Sequence, residues 1–480
     1  MSTNRYITTT LPYVNADPHI GFALEIVQAD TLARFWRHMD DEVFFNTGTD
    51  EHGQKIAQKA DEVGQDRQAY VDHYAGEFSK LKEALDLSYD NFIRTTDEHH
   101  TKAAQHIWNL CDESGDIYKK KYKGLYCVGC ESFKTESDLV DGKCPDHRVE
   151  PQEIEEENYF FKLSAYQEYL TEYLTREDSV VPDFRRKELL KFIEDGLEDL
   201  SISREKSRMD WGIPVPGDAE HVMYVWFDAL TNYISTLGWP EDVGGNFKKF
   251  WEDGKTLQVA GKDQLRFQSI IWQAMLKSAG IKATDTVFYH GFINSGGQKM
   301  SKSLGNVISP YEMVERYGTD AARYILLRHV HPTDDSDLTG EKMDELYEAH
   351  LVNGLGNVVA RVMKLAETHL AEAVQVEDIA DKQIVRMRLN EALSSYQFNH
   401  AIDEIWKDIA DLDDDITVRE PFKVIKSDTE MGQRIIEEQV KSLRNIGLLI
   451  SAIMPKTSEK ILAAIKENKK PENLFPRLEK

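Results

Sequence analysis

Through residues 1 to about 115, short β-branched apolar runs alternate with stretches whose apolar residues fall at helical spacing. Tyr6–Thr10 reads as a strand, and Ile20, Leu24, Val27, Thr31 and Phe35 share one helical face. Glu42–Asn46 reads as a second strand. Strands joined through a helical crossover run parallel, so the alternation predicts a parallel α/β sheet. The pattern breaks at about 116–150, a short polar stretch that reads as an insertion. It returns at Val222–Phe227, at Thr256–Ala260 with a helix to Gly280, and at Thr286–Ile293. From about 341 strand signals nearly vanish. Val358, Val362 and Leu365 make one helical stripe, and Ile436, Val440, Leu443, Ile450 and Ile453 another that Pro455 stops. A helical bundle is expected there.

The chain's 480 residues make room for about three domains of ordinary size. No apolar run reaches the roughly 18–20 residues of a membrane span, and the N-terminus shows no basic-then-apolar leader, so a cytoplasmic protein is expected. A formal net charge of −26 argues against nonspecific nucleic-acid binding, which needs Lys and Arg. A local basic face can still bind RNA, through few cations and with strong salt dependence.

Three of the four cysteines cluster. Cys127-x-x-Cys130, thirteen residues, then Cys144-x-x-His147 offers three thiolates and an imidazole at a spacing that fits tetrahedral Zn²⁺. All four positions would be filled by protein, so the metal would be structural. The alternative is a set of reduced thiols. Cys111 falls outside the pattern and reads as a small buried side chain.

Two further motifs carry chemistry. In Pro18-His19-Ile20-Gly21-Phe22 a helix begins near His19, where backbone N–H groups and the dipole favour phosphate. Gly21 would allow close approach of a nucleotide. In Lys299-Met300-Ser301-Lys302-Ser303, a flexible Ser295-Gly296-Gly297-Gln298 approach delivers two ammonium groups suited to charge developing on phosphates. The alternative is a solvated basic loop. No Gly-x-x-x-x-Gly-Lys-Ser/Thr occurs, so a P-loop enzyme is unsupported.

The two motifs, in this order and far apart, resemble class I aminoacyl-tRNA synthetases. Further segments narrow the resemblance to the bacterial-type methionyl-tRNA synthetase family with a single zinc knuckle, over essentially the whole chain. They are Leu11-Pro12-Tyr13-Val14-Asn15, Thr47-Gly48-Thr49-Asp50-Glu51-His52-Gly53, Arg94-Thr95-Thr96-Asp97 and Tyr224-Val225-Trp226-Phe227-Asp228-Ala229. Gly261-Lys262-Asp263, His290-Gly291-Phe292 and Lys299–Asn306 complete the set. The resemblance implies a Rossmann-type catalytic domain in two halves, 1–115 and 216–285, around a connective-peptide insertion at 116–215 with its zinc knuckle at 127–147. It further implies a Lys-Met-Ser-Lys-Ser loop and stem-contact region at 286–340 and an all-α anticodon-binding bundle at 341–480.

By the same resemblance, Asp50 holds the methionine ammonium. Leu11, Tyr13, Trp226, Ala229, Tyr233 and Phe267 form the pocket walls, with Gln268 beside them. Aromatic walls with few hydrogen-bonding groups suit a thioether; the same aromatics can instead be ordinary core. His19, Gly21, Phe22, Glu25, Arg204, Gly261, Asp263, Lys299 and Lys302 would bind ATP with its Mg²⁺, with His19, Lys299 and Lys302 catalytic. Glu25, Arg204 and Asp263 read equally as surface charges or ion-pair partners. Asn357, Arg361, Trp406, Pro421 and Phe422 would read the anticodon of initiator and elongator tRNA(Met). Phe422 stands where many relatives have Trp, and it can stack on a base or simply pack between helices.

Phe22 and Gln268 depart from the family, which usually has histidine at both positions. Phenylalanine cannot donate to phosphate, and glutamine cannot titrate. An altered ATP affinity is the expectation, and an inactive tRNA-binding paralogue is the competing one. Activation of leucine, valine or cysteine is disfavoured by the short insertion and the filled zinc site. The chain ends soon after the bundle, without the added domain that dimerises some relatives, so a monomer is expected.

Overall fold

The computed structural model describes residues 2–127, 132–134, 136–145, 148–300, 306–375 and 381–479. The chain folds as two compact units, one of residues 1–18, 42–80 and 89–289, the other of 19–41, 81–88 and 290–480.

The first unit is built on a six-stranded sheet in the order Asn91–Arg94, Glu42–Thr49, Asn4–Thr9, Lys255–Gly261, Thr286–His290, Val180–Val181. Ile7 stands opposite Phe45 on one side and Leu257 on the other, in parallel register. The expected strands at Tyr6–Thr10 and Glu42–Asn46 are present as Asn4–Thr9 and Glu42–Thr49. Buried Tyr6, Ile7, Val43 and Phe45 explain why these residues pair rather than coil. Gly48 lies so close to the neighbouring strand that a Cβ would fall 1.8 Å from the Ile93 carbonyl oxygen. From the central strand Asn4–Thr9 the chain builds outward to one side, then returns to the other at Lys255–Gly261. That reversal is a topological switch point, where the carboxyl ends of strands open a ligand crevice.

The insertion carries an antiparallel sheet in the order Ser132–Lys134, Ile117–Cys127, Gln152–Phe161, Leu200–Ser201. A further antiparallel sheet joins Pro214–Val215, Asp218–Met223 and Ser203–Glu205. Here the sequence expectation needs correction. Val222–Phe227 is not a parallel strand: antiparallel strand Asp218–Met223 ends there, and a short helix follows at Val225–Ala229. Tyr, Val, Trp and Phe favour strands only where they fit a pleated surface. In this segment Trp226 stacks on Phe267 and Asp228 bonds to His52, and those contacts select the helix.

In the second unit, helix Ile20–His38 precedes a small sheet of Gln298–Lys299, Ile293–Ser295 and Ser336–Asp337. The expected strand Thr286–Ile293 is therefore broken at His290. At the break the backbone of Gly291 runs against that of Asp334, where a Cβ would fall 2.2 Å from the Asp334 carbonyl carbon. Nor is Ser295-Gly296-Gly297-Gln298 a loose approach. Gly296 and Gly297, at φ 64° and 73°, form the two-residue turn of a hairpin pairing Asn294 with Lys299.

Beyond Gly340 the elements among the described residues are all helices, including Asn357–His369, Asp381–Ser394, Phe398–Arg419, Thr429–Leu449 and Pro455–Glu467. Val358, Val362, Ile436, Val440 and Leu443 are buried as their spacing requires, whereas Leu365 is half-buried and Met363 and Ala366 take its place. Pro455 does not stop the preceding helix, which ends at Leu449; it opens the next one, where its missing N–H costs nothing. No helix among the described residues is long and apolar enough to cross a membrane.

Candidate active site

In the first unit, Leu11, Tyr13, Asp50, Phe267 and Gln268 follow the carboxyl ends of central strands, and Trp226, Ala229 and Tyr233 follow the antiparallel strand Asp218–Met223. Tyr13 and Asp50 form an isolated parallel bridge. The Asp50 amide donates to the Pro12 carbonyl at 3.0 Å, and the Val14 amide to the Asp50 carbonyl at 3.2 Å. The Asp50 side chain is 1% exposed. Its neighbour Glu51 is fixed by Arg94 through Nε at 2.7 Å and a terminal nitrogen at 2.8 Å, and by the hydroxyls of Thr49 and Thr96. Trp211 Nε1 donates to the Glu51 carbonyl at 2.7 Å. The loop carrying Asp50 is thus held by charge-assisted bonds at the next residue.

Trp226 and Phe267, both half-buried, stack with ring centroids 3.9 Å apart and planes 19° apart. Leu11, Ala229 and Tyr233 are buried, and Tyr233 meets Trp272 edge-on. Gln268 is buried too and donates through Nε2 to Thr10 Oγ1 at 2.9 Å. Gly261 ends its strand, and Asp263 lies exposed just beyond. Arg204 is not a surface charge: it is buried, donates to Ser201 Oγ and the Ser203 carbonyl, and lies 5.0 Å from the Tyr126 and Tyr224 rings.

In the second unit, exposed His19 is the N-cap of helix Ile20–His38, and its Nδ1 accepts the Gly21 amide at 3.0 Å. With Nδ1 an acceptor, the neutral ring carries its proton on Nε2, a donor suited to an anionic oxygen. Gly21 matters because a Cβ there would fall 2.8 Å from His19 Cε1. A nucleotide was the expected close neighbour of that glycine; the neighbour the structure describes is the His19 ring. Phe22 is half-buried in the same turn. Glu25 is buried one turn on, with Oε2 3.0 Å from His290 Nε2, whose Nδ1 donates to the Gly291 carbonyl. The backbone of Lys299 lies in the hairpin strand Gln298–Lys299. Lys302 lies outside the described residues.

On the helices of that unit, Asn357 is exposed at the start of Asn357–His369. Arg361, one turn later, ion-pairs with Asp413 and reaches Thr417 Oγ1. Pro421 opens the helix Pro421–Ser427 and is buried, while Phe422 is 42% exposed. Trp406 stacks on Tyr324 at 4.4 Å, with the Arg328 guanidinium 4.9 Å from its ring.

Of the expected metal ligands, Cys127 ends the long strand Ile117–Cys127, and Cys144 sits in a tight loop whose amide donates to the Val149 carbonyl. Both side chains are 0% exposed. Cys130 and His147 lie outside the described residues. Cys111 is buried as expected, and burial pushes its thiol up to about 12.

Sequence reasoning missed one group. Asp228 is buried between His52 and His100, with Oδ2 2.8 Å from His52 Nδ1 and Oδ1 2.9 Å from His100 Nε2. Burial alone raises a carboxyl, but the charge on His52 and the hydrogen bonds of both histidines reverse that and hold Asp228 below its ordinary value. His52 and Asp228 stand in family segments, yet 176 positions separate them, so no local spacing joins them.

A family model described as tRNA synthetases class I (M) matches residues 5–156 and 147–363. The methionine–tRNA ligase of Caldanaerobacter subterraneus is 42% identical over 473 residues, covering 96% of this chain and 74% of that one. Its counterpart from Rhizobium meliloti is 38% identical, covering 95% of this chain and 90% of the relative. Among solved structures, Mycobacterium tuberculosis methionyl-tRNA synthetase in complex with methionyl-adenylate superposes with a TM-score of 0.89 at 35% identity. That match covers 99% of this chain and 98% of the other. The free-state structure of the same enzyme gives 0.84 at 32% identity, covering 100% and 99%.

Proposed function

The chain belongs to the methionyl-tRNA synthetase family, and we propose how its residues divide the labour of methionine–tRNA ligation. In the first step a methionine carboxylate oxygen bonds to the α-phosphorus of ATP, the bond to the β-phosphate oxygen breaks, and pyrophosphate leaves. In the second, a hydroxyl of the terminal adenosine of tRNA(Met) attacks the methionyl carbonyl, and AMP leaves. Neither step needs a covalent enzyme intermediate, so the protein's task is positioning and charge stabilisation.

The observation that best supports this division is Asp50, a nearly enclosed carboxylate on a braced loop beyond the central strands. It pairs with the α-ammonium of methionine. Leu11, Tyr13, Ala229 and Tyr233, with the stacked Trp226 and Phe267, receive the thioether side chain. Gln268, fixed on Thr10, takes the place of the usual histidine. His19 Nε2–H, Lys299 and Lys302 stabilise charge on the phosphates. Gly21 and Phe22 shape the helix start beside His19, and Glu25 braces it through His290. Arg204, Gly261 and Asp263 serve ATP, whose Mg²⁺ enters with it as substrate. Asn357, Arg361 and exposed Phe422 face the anticodon, with Trp406 and Pro421 supporting their helices.

Two fully buried thiols at a strand end and a tight loop fit a soft cation. Cys127, Cys130, Cys144 and His147 would hold one structural Zn²⁺, pinning the insertion's fold and taking no part in the reaction.

Charging of tRNA(Met) with labelled methionine tests the whole reading. It predicts methionylation that is lost when the CAU anticodon is changed. Charging indifferent to the anticodon would remove Asn357, Arg361 and Phe422 from their role.

A further inference from the structure

The buried carboxylate between two histidines has a place in the methionine pocket that the reaction scheme above does not use. His52 lies two residues beyond Asp50. Asp228 lies between Trp226 and Ala229 in the short helix Val225–Ala229. His100 Nδ1 is 2.9 Å from Ser235 Oγ, two residues beyond Tyr233. One carboxylate therefore ties the loop of the ammonium-binding aspartate to the helix of the apolar walls, and through His100 to the turn that carries Tyr233.

The bonding pattern leaves little freedom. An ionised carboxylate only accepts, so His52 must present Nδ1–H and His100 must present Nε2–H, while His100 Nδ1 shares a hydrogen bond with the Ser235 hydroxyl. The His52 ring also meets Trp211 edge-on, and Trp211 is bonded to the Glu51 carbonyl. A shift of Asp228 thus moves both sides of the pocket.

We propose that Asp228 is a positioning residue for methionine: clamped by His52 and His100, it fixes the distance between the ammonium-binding loop and the walls. This rests on the reading that Asp50 and the Trp226 helix bind methionine. Exchanging the carboxylate for an amide keeps its size but sets N–H against N–H at one end, which opens the clamp.

The test is methionine-dependent exchange of labelled pyrophosphate into ATP, with KM measured separately for methionine and ATP. Asp228→Asn should raise the methionine KM by tenfold or more and leave the ATP KM within twofold. A methionine KM within twofold of the parent, or equal rises in both constants, overturns the proposal. If Asp228→Asn does not fold, His52 carries the same test. His52→Asn places an amide N–H near the Nδ1 position and should stay within threefold of the parent. His52→Ala should raise the methionine KM as Asp228→Asn would. Equal behaviour of the two His52 variants overturns the proposal. Absence of exchange in the parent protein would instead overturn the methionine-activation reading itself.

Discussion

His19 and Asp50 are suited to their proposed tasks by different means. The histidine is exposed and aimed by a backbone amide, whereas the aspartate is enclosed and aimed by its neighbours. Losing one charge-assisted contact to the substrate ammonium costs about 1.5–3 kcal/mol, or roughly 10- to 100-fold. Asp50→Asn should therefore raise the methionine KM in pyrophosphate exchange by that factor; an unchanged KM would place the ammonium elsewhere. Phe22 is the reverse case. It stands half-buried where the resemblance implies histidine, while the His19 ring is held by the Gly21 amide. Phe22→His should leave the exchange rate within roughly tenfold, or about 1.4 kcal/mol. A gain of many orders of magnitude would show the natural site to be crippled. At this scale the sequence was most legible where function is written in short segments, as at Leu11–Asn15 or Thr47–Gly53. The Asp228 clamp was not legible, because its three members come from distant segments and no local spacing joins them.

Among elements, four strands of the parallel sheet could be read from alternation because they are largely buried and rich in β-branched and aromatic residues, whereas the edge strands Asn91–Arg94 and Val180–Val181 are too short to show a pattern. The failures have local physical causes. Val222–Phe227 carries strand-forming residues that tertiary contacts draw into a helix, and the run Thr286–Ile293 ends as a strand at His290, beside a glycine packed against the Asp334 backbone. Pro455 was read as a stop because proline ends helices, yet it equally begins them. The insertion's antiparallel sheet was obscured by its polar composition, and its zinc reading rests on spacing together with two buried thiols. Metal analysis should find one zinc per chain. Removing it with a chelator should expose Cys127 and Cys144 to thiol reagents and raise the protease sensitivity of residues 116–150. Thiols equally unreactive before and after chelation would argue against a metal.

Across the molecule, the second unit is tied together at Arg323, a fully buried guanidinium. It pairs with Asp30 at 2.7 Å and donates to the carbonyls of Leu85, Ala452 and Ile453. The helix that His19 caps is thereby linked to the turn before the last long helix. Burial would raise the Asp30 carboxyl, but Arg323, then Arg34 and the Ser88 bonds, hold it below its ordinary value. A depressed folded pKa contributes stability that is present above the unfolded value and lost as pH falls through the folded one. Arg323→Met should cost about 3–5 kcal/mol at neutral pH and flatten the acid limb of the stability profile. A neutral substitution would show that the pair does not hold the unit together.

Methionine-dependent exchange of labelled pyrophosphate into ATP, with leucine, valine and cysteine run beside it, tests the assignment of the pocket most directly. Exchange supported by methionine alone is the predicted result, despite Phe22 and Gln268. No exchange from folded, zinc-loaded protein, or exchange supported equally by another amino acid, would contradict it.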